Sequence, residues 1–143
     1  MTQGLKIFVG DRLVDREEAT VSVFDAGFQS GDAIWEGLRV YGGTVLMLER
    51  HLARLEESAK AMRITLPRDR AGIRSALAET LEANGMNDGA HVRLMVTRGS
   101  RSTSGMDPRN APPHGTLVII AEHKPVAEVP AAQRLRTASI RRP

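Results

Sequence analysis

The sequence predicts an α+β fold, a small antiparallel sheet with two helices packed on it, followed by the first strand of a second, larger unit. Three observations carry this. Two glycine-centred hairpin signatures lie in the first fifty residues, two apolar stripes at helical spacing follow, and two more strand-like segments come after those. With 143 residues, 41% hydrophobic and 26% charged, the chain has the balance of an ordinary globular domain.

Leu5–Val9, Gly10-Asp11 and Leu13–Val14 predict the first hairpin, because Gly and Asp tolerate the positive φ of a two-residue turn. Ile34–Tyr41 and Thr44–Leu48 flank Gly42-Gly43 and predict a second. Leu48, Leu52, Leu55, Ala59 and Met62 then recur every three or four residues, which predicts a helix with one apolar stripe. Pro67 punctuates it, Asp69 caps a second helix carrying Ile73, Leu77 and Leu81, and Asn84-Gly85 stops that helix. His91–Thr97 and Thr116–Glu122 are the next strands, joined by a Gly-, Ser- and Pro-rich loop from about Gly99 to His114. Pro125 and Pro130 mark an extended linker, and Arg134–Ile140 reads as a strand opening a new unit. The expected organisation is therefore a small α/β domain over residues 1–124, with linker and opening strand over 125–143 and the rest of that second unit not among these residues.

Several function classes drop out on composition. There is no cysteine, hence no disulfide and no thiolate chemistry or thiolate metal site. No apolar run approaches a bilayer span and the start lacks a secretory pattern, so a soluble, cytoplasmic protein is expected. The net charge is +3, but the basic residues interleave with acidic ones and there is one Trp, one Tyr and three Phe, too few for a stacking platform; no nucleic-acid partner is expected. His51, His91, His114 and His123 show no close metal-ligand spacing, and neither a phosphate-loop fingerprint nor a Gly-x-Ser-x-Gly occurs.

Candidate ligand contacts come from strand alternation. Trp35, Gly37 and Arg39 share one face while Ile34, Leu38 and Val40 share the other. An aromatic wall, a bare backbone position and a fixed cation suit an anionic, partly flat ligand; a half-exposed strand with a surface arginine is the ordinary alternative. His91 and Arg93 share a face of a later strand, and Arg98 follows at its end, where two guanidiniums could fork onto a carboxylate or simply meet solvent. Arg50, Arg54 and Ser58 form a polar stripe on the first helix, explicable as a solvent face carrying Glu–Arg pairs.

The run from Val21 to Arg39, the Gly-Gly hairpin and His51-Leu-Ala-Arg-Leu55, taken together, resemble the fold-type IV pyridoxal-phosphate enzymes, aminotransferase class IV. That family includes branched-chain and D-amino-acid aminotransferases, R-selective amine transaminases and aminodeoxychorismate lyase. The resemblance implies pyridoxal 5'-phosphate as cofactor, with Arg54 gripping its phosphate. It also implies Trp35, Gly37, Arg39, His91 and Arg93 as pocket residues, and Arg98 as a carboxylate-binding arginine like that of D-amino-acid aminotransferases. Ser30 falls where branched-chain enzymes place a tyrosine. The substrates implied are a small amino acid or amine and a keto acid; the assembly implied is a homodimer in which the 99–114 loop reaches the partner's site.

In this family a lysine of the larger domain carries the cofactor as a Schiff base, and Lys6, Lys60 and Lys124 do not match it. No catalytic residue is therefore assigned here. The expectation is the N-terminal portion of a transaminase, inactive alone, with aminodeoxychorismate lyase-like chemistry or a non-catalytic binding module as alternatives.

Overall fold

A computed structural model describes residues 4–124 together with 136, 137 and 139. The expected boundary at 124/125, the linker and the strand over Arg134–Ile140 lie outside the described residues or rest on residues that do.

The first hairpin joins β1 (Lys6–Val9) to β2 (Arg12–Asp15) across Gly10-Asp11, with Gly10 at φ +68°. A five-residue helix, α1 (Ala26–Ser30), precedes β3 (Ala33–Tyr41). Strand alternation did not foresee α1, because five residues are too few for a period. Its ends explain it: the Asp25 carboxylate accepts from Gly27 N–H, and Gly31 closes the helix in the left-handed region at φ +67°.

Gly42 and Gly43, both at positive φ, turn β3 into β4. Here the structure corrects the expected strand Thr44–Leu48, since β4 is only Thr44–Val45 and Leu48 already belongs to α2 (Leu48–Met62). Met47 sits at φ +50° directly before that helix and redirects the chain before more ladder can form. After α3 (Arg70–Ala83), capped by Asp69 on Gly72 N–H, come β5 (Ala90–Thr97) and β6 (Thr116–His123).

The six strands form one sheet in the order β2-β1-β6-β5-β3-β4, every pair antiparallel. Leu52 and Leu55 of α2 and Ile73 and Leu77 of α3 pack on one sheet face against Leu38, Val92, Leu94 and Ile119, all buried. The other face is turned away from α2 and α3, with α1 lying against its Thr97 end, and its side chains are those one position out of phase: Trp35, Gly37, Arg39, His91, Arg93 and Met95. Among the described residues no helix is long and apolar enough to cross a membrane, and no cluster of three or more metal-ligating side chains occurs.

Candidate functional site

The site is built around β3. The antiparallel register sets Trp35 opposite Met95, Gly37 opposite Arg93 and Arg39 opposite His91. The open face therefore gathers five of the eight candidate residues. The Arg93 guanidinium lies 4.4 Å from the centre of the Trp35 ring, an arrangement that holds both over the sheet. Trp35 is nevertheless 57% exposed, so much of its ring is free to meet a flat ligand. Arg39 Nη1 donates to the Lys124 carbonyl at 2.5 Å, which fixes that cation at the end of β6. His91 is half-buried; that burial, with Lys124 and Arg39 nearby, holds its imidazole below the usual histidine range. Gly37 leaves open space between Trp35 and His91, whose atoms would lie 3.5 and 3.6 Å from an added Cβ.

Arg54 stands on the helix side. Its partner is not a glutamate of its own helix such as Glu57: its Nε donates to Glu36 Oε1 at 2.7 Å and its Nη2 to Oε2. Glu36 is 3% exposed and projects from β3 in phase with Ile34 and Leu38, so the core holds a carboxylate where alternation calls for an aliphatic side chain. His51 Nδ1 meets the same carboxylate at 2.7 Å. Burial pushes the Glu36 carboxyl up, but the bonds from Arg54 and His51 outweigh it and hold it below the usual range. Sequence reasoning missed both Glu36 and His51. The available signal was a charged residue at a core-facing strand position, which requires a partner.

The Arg54 side chain is 65% exposed, and its Nη1 has no partner among the described residues. A rigid buried mount thus holds a guanidinium whose outer edge faces solvent. The hairpin partner β4 pairs only with Val40 and Tyr41, so β3 has no strand along its outer side from Ala33 to Leu38 among the described residues. That uncovered edge has Arg54 on one face and Trp35 on the other.

The remaining candidates are placed elsewhere. Arg98 does not join Arg93. It donates to both oxygens of Asp32 at 2.6 and 3.1 Å and to the Met62 and Arg63 carbonyls at 2.7 and 2.8 Å, closing the C-terminus of α2. Every nitrogen of this guanidinium has an acceptor within the described residues. Ser30, at the end of α1, donates its hydroxyl to the Ala26 carbonyl at 2.9 Å and makes no described contact with Trp35, Arg39 or Arg93.

Comparison with known proteins bears on this arrangement. The family model described as Amino-transferase class IV matches residues 33–143. A branched-chain-amino-acid aminotransferase-like protein of Arabidopsis thaliana is 50% identical over 121 residues, covering 85% of this chain and 22% of its own length. A D-alanine aminotransferase of Listeria innocua is 35% identical over 122 residues, covering 85% of this chain and 42% of its own. Among solved structures, the branched-chain aminotransferase of Thermoproteus uzoniensis with norvaline aligns at TM-score 0.74 and 29% identity, over 87% of this chain and 41% of that one. The 4-amino-4-deoxychorismate lyase of Pseudomonas aeruginosa aligns at TM-score 0.63 and 35% identity, over 87% and 41%. The chain spans less than half the length of each of these proteins.

Proposed function

The chain belongs to the class IV aminotransferases, and on that premise we propose that it is the small domain of a pyridoxal-phosphate-dependent transaminase acting on amino acids or small amines. The observation that carries the reading is the mounted guanidinium of Arg54, fixed on one edge by buried Glu36 and open on the other. That geometry fits a phosphate ester, since the free Nη1 edge can donate to phosphate oxygens while Glu36 keeps the fork from swinging away. When bound, the cofactor supplies an electron sink for breaking a bond at the amine-bearing carbon.

This chain's own residues bind and orient. Trp35 offers its exposed face to a flat ring, and Arg39 and Arg93 give that side a positive field that draws in a carboxylate-bearing substrate or keto acid. His91, held toward its neutral form, adds hydrogen-bonding capacity without another full charge. The reacting lysine is assigned outside these residues. Lys6 is paired with Asp15 at 2.8 Å; Lys124, whose carbonyl meets Arg39, has its ammonium 2.8 Å from Glu122. Lys60, near the end of α2, lines a cleft with Glu56, Ala59 and Arg63. A homodimer belongs to the same proposal, supported by the apolar Val23, Phe24 and Phe28 left exposed around α1.

The test is retention of cofactor by the complete protein, followed by its absorbance after gel filtration. Arg54→Ala should weaken retention roughly 10- to 100-fold, the worth of a charge-assisted phosphate contact. Unchanged retention rejects the assignment. The likeness to the lyase structure supports a second reading of the same site, separated by one assay: a transaminase needs a keto-acid acceptor to turn over and a lyase does not.

A further inference from the structure

Two side chains of α2 converge on the buried Glu36 carboxylate. The Arg54 fork takes both oxygens, and His51 Nδ1 reaches Oε2 at 2.7 Å. Arg54 Nη2 and His51 Nδ1 lie 3.4 Å apart; both are donors, so each bonds the shared oxygen and not the other. A carboxylate held by a guanidinium is ionised and can only accept, which places a proton on His51 Nδ1. Among the described residues Glu36 meets no further donor.

The backbone delivers His51 to this contact. Leu46 N–H donates to the Arg39 carbonyl at 2.9 Å, and Met47 then turns the chain at φ +50°, a conformation that costs energy for a residue with a Cβ. The Met47 carbonyl accepts from the Arg50 and His51 N–H groups at 3.0 and 3.2 Å, which starts α2 and sets His51 in its first turn, three residues before Arg54. The His51 side chain is 23% exposed and Glu36 far less, so water competes poorly for the bond between them.

What His51 adds is orientation. A side-on fork and its carboxylate share a plane and can hinge together about the last torsion of glutamate, which is broad. A bond from a separate side chain to one of the same oxygens opposes that hinge. We propose that His51 is a positioning residue for phosphate binding, whose Nδ1–H bond to Glu36 holds the Arg54 fork so that its outer edge meets the cofactor phosphate already aimed. The inference rests on the reading of Arg54 as the phosphate-binding residue.

The test titrates the complete protein, freed of cofactor, with pyridoxal phosphate and with pyridoxal, which lacks the phosphate. His51→Leu removes the donor, whereas His51→Asn keeps an N–H near the place of Nδ1. His51→Leu should weaken pyridoxal phosphate about three- to tenfold and pyridoxal less than about twofold, and His51→Asn should stay within about twofold of native for both. Equal weakening of the two probes by His51→Leu overturns the proposal, because a loosened fold would do the same. No weakening of pyridoxal phosphate overturns it too, as does an Asn variant as weak as the Leu variant. Arg54→Ala in the same titration separates the two readings. If it leaves pyridoxal phosphate binding unchanged, the phosphate assignment falls and this inference with it; a loss with Arg54→Ala but not with His51→Leu overturns the role of His51 alone. Nitrogen-15 NMR of the native protein reads the proton without any variant: Nδ1 should carry it, and a His51 protonated only at Nε2 could not donate to Glu36 and overturns the proposal.

Discussion

The Glu36–Arg54 pair makes an asymmetric prediction. The two partners differ in exposure, 3% against 65%, so deleting one is not equivalent to deleting the other. Arg54→Ala leaves a carboxylate in the core with His51 as its remaining partner; breaking a buried pair this way costs about 3–5 kcal/mol, and the surviving His51 bond places the cost near the lower end. Glu36→Leu instead releases a largely solvated guanidinium to water and gives the core an aliphatic side chain beside Ile34 and Leu38, so its cost should stay within about 1 kcal/mol. The double variant should resemble Glu36→Leu, so the coupling equals the Arg54→Ala cost, about 3 kcal/mol. The pH dependence follows in sign. In the native protein Glu36 is held below its ordinary value, so its stabilising contribution is complete above the unfolded glutamate value of about 4.3 and is lost as pH falls through the lower folded value. In Arg54→Ala, burial acts against His51 alone, the folded value rises, and protonation relieves the penalty. The stability gap between native and Arg54→Ala proteins should therefore narrow from pH 7 toward pH 4, read by urea denaturation followed by circular dichroism. A gap independent of pH, or a Glu36→Leu cost equal to that of Arg54→Ala, refutes the reasoning.

Other perturbations address the clamp, the sheet and the open face. Arg98→Lys keeps the charge but cannot reach Asp32 and the α2 carbonyls together, and should lose about 2 kcal/mol in denaturant titration; native-like stability would show that the fork is dispensable. Gly115→Ala sets a Cβ 2.2 Å from the Thr97 carbonyl oxygen, which only a backbone shift can relieve, and should cost about 1–3 kcal/mol. Gly37→Ala meets only ordinary contacts and should stay within about 1 kcal/mol on the same measurement; equal losses would contradict the packing argument. The His91 imidazole should titrate below the unperturbed value of about 6.5 by proton NMR, and Arg39→Ala should raise it only partway because burial is the leading cause.

Periodicity made most of the fold legible because each long element repeats its own burial rule. Leu52, Leu55 and Ala59 mark the α2 face, and the turns at Gly10-Asp11 and Gly42-Gly43 set two hairpins. Elements shorter than a period were not legible this way: α1 and the two-residue β4 are defined by Asp25, Gly31 and Met47 at their boundaries. The direction of Arg98 was available. If His91, Arg93, Met95 and Thr97 share the open face, the next residue points to the helices, where Arg98 finds the end of α2. What no spacing could supply was the choice of partner, since Glu36 and Arg54 are 18 residues apart and Asp32 and Arg101 are 69 apart.

The residues that broke a local rule are the ones on which the candidate chemistry stands. An aliphatic side chain at position 36 would satisfy β3, and an exposed salt-bridged surface would satisfy α2; neither would aim a guanidinium along an uncovered sheet edge. Charge placed in a core is destabilising until it is matched, so a buried glutamate that orients an exposed arginine trades stability for direction. Arg101 shows a related imbalance, a buried cation that shares Asp32 with Arg98 and keeps one donor unpaired. By that physical criterion the two guanidiniums belong together. Arg54 offers its open edge outward beside β3, and Arg101 holds its own inward under the loop.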